Sequence, residues 1–194
     1  MTIDIVSAPP SSLRDRMRLD TADLHAALDA RLGAFDLRDP AGLAGFLRIN
    51  ERGFAAIAGA GPDGAVCMGR SIAADLARRI RSDLDRLGTS PLPAVAAPED
   101  PDPLAIDYVV LGSRLGSSVL KRHWAQAEDP RVREASCYFS APAQVRRWQA
   151  FCRQTREMSP KNAAADRAVD DTRRIFALFN DHNSSDARPR AHDT

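Results

Sequence analysis

Residues 13–32, LRDRMRLDTADLHAALDARL, carry an imidazole and a guanidinium at a spacing that suits a single flat, anionic ligand. At helical spacing Leu13, Met17, Leu24, Leu28 and Leu32 fall on one stripe, and His25 lies at its edge. Arg18, seven residues before His25, projects from nearly the same angle two turns away. Neutral imidazole is a metal ligand or proton carrier, and a guanidinium clamps carboxylates, so one helix could present both to the same molecule. A histidine beside an apolar stripe also serves as a plain amphipathic boundary residue.

A second stretch, residues 108–122, YVVLGSRLGSSVLKR, sets Gly112 and Gly116 one turn apart with Ser113, Ser117 and Ser118 around them. Glycine inside a helix costs about 1 kcal/mol against alanine, so a pair of them implies that something comes close to the backbone. Another helix packed on a small-xxx-small seam answers that description, and so does a ligand.

The elements that must position these residues are all helical. A first helix, capped at Ser11 or Ser12, spans residues 13–32 and stops at Gly33. Asp39 and Pro40 start a second, carrying Leu43, Phe46, Leu47, Phe54 and Ile57, and the glycine-rich residues 58–64 turn the chain. A third runs from near Gly69 to Gly88 with Ile72, Leu76, Ile80, Leu84 and Leu87 on one face. Residues 89–103 hold five prolines and are predicted to cross the surface between helix pairs. The Gly-Ser helix follows over about 104–127, with His123 near its end as a partner for the negative pole of the helix dipole. After Asp129 and Pro130 come a short charged segment and a turn at 136–142. Two more helices then carry Val145, Trp148, Phe151 and Thr155, and, from near Pro160, Ala164, Ala168, Thr172, Ile175, Phe176 and Phe179. The expectation is an all-α, single-domain helical bundle over residues 11–182, with an irregular lead-in at 1–10 and a disordered tail at 183–194.

Composition excludes several classes. Lys+Arg at 27 against Asp+Glu at 26 leaves no field to hold a nucleic-acid backbone or an anionic membrane. Cys67, Cys137 and Cys152 are widely spaced and form no CxxC, which suits reduced thiols in a cytoplasmic protein. There is no secretory leader pattern, no apolar stretch long enough to span a bilayer, and no Walker, GxGxxG, HExxH or EF-hand sequence.

The two stretches taken together, RLDTADLHAALDARL at 18–32 and LGSRLGSSVLKR at 111–122, resemble the haem oxygenases, closest to the bacterial biliverdin-forming members that accompany bacteriophytochromes. The similarity extends to an aromatic turn at 138–142 and to the REMSP junction at 156–160. The resemblance implies that His25 is the proximal ligand of haem iron and that Gly112 and Gly116 let a kinked distal helix lie over the other haem face. It further implies that Arg18 and Arg146 hold the propionates, with Arg147 and Arg153 as neighbours in the second role. Haem would be both substrate and cofactor, opened to biliverdin, carbon monoxide and ferrous iron with oxygen and electrons from a ferredoxin or a reductase. A bacteriophytochrome would be a possible partner for the product.

Two positions depart from the family pattern. Ser113 stands where the mammalian-type enzymes carry an aspartate that organises proton delivery, although the bacterial members often share the serine; a hydroxyl holds water but not a carboxylate's charge. Leu111 stands where those bacterial relatives often carry glutamate. Two alternatives follow: a non-catalytic haem- or bilin-binding partner of a photoreceptor or signalling protein, and a helical phosphotransfer domain using His25. The second needs a lysine near the histidine, and the following turn offers Leu28 and Asp29 instead.

Overall fold

The computed structural model describes residues 9–61 and 67–180, so the lead-in up to residue 8, part of the glycine-rich turn and the tail at 183–194 lie outside the described residues. Eight helices appear among them and no strand: α1 Leu13–Asp20, α2 Ala22–Gly33, α3 Pro40–Ala58, α4 Met68–Arg86, α5 Pro103–Trp124, α6 Pro130–Glu134, α7 Val145–Arg156 and α8 Ala163–Asn180. None of these helices is long and apolar enough to cross a membrane.

Local chemistry sets most of the starts. Three helices open on an Asp-Pro pair, in which proline supplies a helical φ where no amide is needed and the aspartate accepts from a free amide. Asp39 accepts from Gly42 at 2.9 Å, Asp102 from Leu104 at 2.8 Å and Asp129 from Arg131 at 2.8 Å. Ser12 caps α1, its hydroxyl accepting from the amide of Asp15 at 3.2 Å. Asn162, not Pro160, caps α8, accepting from Ala165 at 2.8 Å.

The single helix expected over 13–32 is two. The chain breaks at Thr21, whose φ of −118° and ψ of 7° leave the helical region. That side chain is buried, and its hydroxyl donates to the carbonyl of Met17 at 2.7 Å, a back-bond that bends helices. Arg18 and His25 therefore sit on different helices, and the angle between them is set by the break.

The core is built on α3 and α4, which share the most extensive helix–helix contact, with α8 laid across α1, α2, α3 and α5. Phe46, Leu47, Ile49, Phe54 and Ile57 of α3 meet Leu76, Ile80 and Leu84 of α4, all buried. Close approach is enforced at Gly53, where a Cβ would collide with the ring of Phe179. The proline-rich crossover carries no helix, buries Leu92, and is tied at its end to α8 by the amide of Asp102 donating to Asp171 at 2.9 Å. Cys67 and Cys152 are buried and Cys137 is partly exposed, all as free thiols.

The segment 136–142 is held from outside itself. The fully buried carboxylate of Asp83 on α4 accepts from the amides of Cys137 at 2.9 Å and Tyr138 at 2.8 Å. Removing it strands two amides, so Asp83→Ala is expected to lower stability by about 3 kcal/mol in urea unfolding, with Asp83→Asn in between because one acceptor oxygen survives.

Candidate functional site

A cavity of about 630 Å³ lies between α2 and the middle of α5, and its wall is far more apolar than polar. That size falls within the ordinary range of small-molecule sites. α1 contributes Arg18, α2 contributes His25 and Asp29, α3 contributes Asn50 and Phe54, and α8 contributes Phe176 and Phe179. Gly112, Ser113 and Gly116 of α5 form the facing wall, joined by Tyr108, Trp148 and Tyr138. Five of the six site residues anticipated from sequence thus share one cavity.

His25 is half-exposed, with its ring edge on Phe176 at a centroid distance of 5.7 Å. Its Nδ1 lies 3.0 Å from Oδ2 of Asp29, one turn on in α2. A carboxylate there holds the proton on Nδ1 and leaves Nε2 as the electron-pair donor, the arrangement that orients and strengthens a ligating imidazole. In the sequence Asp29 figures only as unfavourable to phosphoryl transfer, and its i,i+4 spacing from His25 is the signal for this pairing. The exposure of His25 suits a phosphoryl acceptor, but no lysine lines the cavity and Asp29 would repel an incoming phosphoryl group.

Among the described residues no three His, Cys, Asp or Glu side chains gather at metal-ligating range.

The glycines of α5 do not form a helix-packing seam. A Cβ on Gly116 would meet nothing within 4 Å, and one on Gly112 would touch only the Trp148 ring at 3.7 Å, an ordinary contact. Their effect is to leave a wall of bare backbone open to the cavity. α5 is helical at every residue through both glycines. Ser113 lines the cavity, but its hydroxyl donates to the carbonyl of Val110 at 2.8 Å, which leaves it only acceptor capacity. Leu111 is buried on the core side of α5, where glutamate would be desolvated without a cavity to serve.

Arg18 is exposed at the cavity wall with no ion-pair partner among the described residues. Arg146 is not at the wall: it is exposed in the first turn of α7. Arg147 lines a separate, smaller depression with Asp75 and Arg79, and Arg153 is exposed farther along α7. His123 ends α5 as expected, with Nε2 3.3 Å from Oδ1 of Asp36, away from the cavity. Tyr108 closes the wall near the Thr21 break; burial pushes its phenol up, opposed by the Thr21 hydroxyl and by Arg14 and Arg18. Asn50, Tyr108, Trp148 and Tyr138 were not anticipated as site residues; only the packing of α3, α5, α7 and the 136–142 segment around one cavity brings them to its wall.

Comparison of the chain with family models, with curated proteins and with solved structures finds no match.

Proposed function

We propose that the chain is a haem oxygenase, with haem lying flat between α2 and the glycine wall of α5. The observation that carries this reading is the pairing, across one cavity, of an imidazole oriented by a carboxylate with a helix face from which side chains have been removed. The residues fit the group: His25 would supply a ligating nitrogen, the apolar walls would hold the macrocycle and Arg18 would meet a carboxylate.

When bound, haem supplies oxygen-activating iron and is itself the substrate opened to biliverdin, carbon monoxide and ferrous iron, with electrons from an external donor such as a ferredoxin or a reductase. His25 would ligate through Nε2, with Asp29 keeping it in the ligating tautomer. Gly112 and Gly116 would leave room for the macrocycle against bare α5 backbone. Arg18 holds one propionate and thereby limits rotation of the macrocycle in its plane. Arg146, exposed on α7, would have to reach across to hold the other.

Ser113 favours a second reading, a non-catalytic haem- or bilin-binding partner of a photoreceptor, since its hydroxyl hydrogen is committed to Val110. A hemin titration of the purified protein followed by reduction with ascorbate in air separates the two. A Soret band saturating at one haem per chain and giving way to bilin absorption is the expected result. Saturation without ring opening would select the partner reading, and no saturable binding would reject both.

A further inference from the structure

Arg114 follows the cavity-lining Ser113 on α5 and points the other way, into the protein, where it is 1% exposed. No carboxylate among the described residues pairs with it. Its Nη2 donates to the carbonyl of Ala141 at 3.1 Å, its Nε reaches that of Pro142 at 3.5 Å, and its guanidinium carbon lies 5.0 Å from the centre of the Tyr138 ring. Nη1 is buried with no partner. A cation buried on these terms is unfavourable for folding, and leucine would fill the position more cheaply.

The same short segment is gripped from α4 by the buried Asp83, through the amides of Cys137 and Tyr138. Two buried charges of opposite sign, on different helices, therefore converge on 137–142. Only Tyr138 of that segment lines the cavity. Its ring stands edge-on to Phe46 at 5.8 Å, one turn before Asn50, so its place in the wall is fixed from three sides. The phenol oxygen interacts with the Arg114 guanidinium, a contact phenylalanine could not make. What tyrosine adds is a hydroxyl.

A guanidinium offers only donors, so Arg114 cannot accept the phenol proton. Burial pushes the Tyr138 phenol up, with Arg114 drawing it partly back, which keeps the hydroxyl protonated at neutral pH. Ser113 has already given its hydrogen to Val110. We propose that Tyr138 is the hydrogen-bond donor to the small ligand, or to the water beside it, on the glycine side of the cavity, and that Arg114 is the positioning residue that fixes the Tyr138 ring. The identity of that ligand rests on the haem reading, and the role falls where Ser113 lacks a carboxylate's capacity.

The test uses the hemin-loaded full chain, reduced under carbon monoxide, with the C–O stretch read by infrared spectroscopy. A nearby donor polarises carbon monoxide and lowers its stretching frequency. Tyr138→Phe is expected to raise that frequency and to slow ring opening by about a hundredfold, as removal of one preorganised donor does. Arg114→Met is expected to split the band into two populations, because the ring is no longer held, and Arg114→Lys to recover a single band. Should the arginine variants fail to fold, Tyr138→Phe decides alone. An identical C–O band in wild type and Tyr138→Phe would overturn the assignment while leaving the haem reading intact. Absence of hemin binding by the wild type would overturn both, and shows at the titration before any infrared measurement.

Discussion

His25→Ala is expected to abolish the saturable Soret band and all ring opening while leaving the fold unchanged. The imidazole is half-exposed and contacts Phe176 only edge-on, so its removal leaves no buried cavity and strands no buried partner. Far-ultraviolet circular dichroism and the urea midpoint should therefore match the wild type while hemin titration fails. Added imidazole is expected to restore binding, since the cavity then accommodates the missing ring as a free molecule. Asp29→Asn tests the same axis at smaller amplitude. It keeps the side-chain volume but weakens the hold on Nδ1–H, and hemin affinity should fall by about 10–100-fold, the usual effect of losing a carboxylate behind a ligating histidine. An unchanged titration in His25→Ala would remove His25 from the site altogether.

The second large effect is expected at Gly116, where size alone separates stability from binding. Because a Cβ there meets nothing within 4 Å, Gly116→Ala should stabilise the apoprotein by about 1 kcal/mol through helix propensity. Gly116→Phe should fold as well as the wild type, yet bind no hemin, because its ring occupies the space over the bare backbone. The packing-seam explanation of this glycine requires the opposite pair of results, with even alanine destabilising. Gly53 is the internal control for that behaviour: its Cβ would strike Phe179, so Gly53→Ala should destabilise markedly. Urea unfolding of the three variants beside hemin titration is sufficient to decide.

Much of the scaffold was legible in the order of residues. The helical class, the Asp-Pro starts of α3 and α6, the proline-rich crossover and the stripe of Leu13, Met17 and Leu28 all follow from interactions within a few positions along the chain. His25, Arg18, Gly112 and Gly116 stand out in the sequence by type and helical spacing and Ser113 by the family resemblance, and the fold brings all five to one cavity. The break at Thr21 was missed because the hydrophobic period runs through it unaltered. Only the buried back-bond to Met17 interrupts the backbone there.

By itself, then, the sequence determined which segments are helical, which face of each is apolar, and which residues on those faces are capable of ligation or of leaving space. Only the tertiary structure decided what each face meets. Whether Gly116 accommodates a neighbour or an opening depends on α2 lying across from α5 and not against it, a relation between residues some ninety positions apart. The placement of Arg146 outside the cavity, the arrival of Asn50 and Tyr138 at its wall, and the convergence of Asp83 and Arg114 on one short segment are likewise long-range outcomes. Periodicity along a chain records the phase of each helix about its own axis. The rotation and approach of one helix relative to another are set by the summed packing of many side chains, which no local pattern encodes.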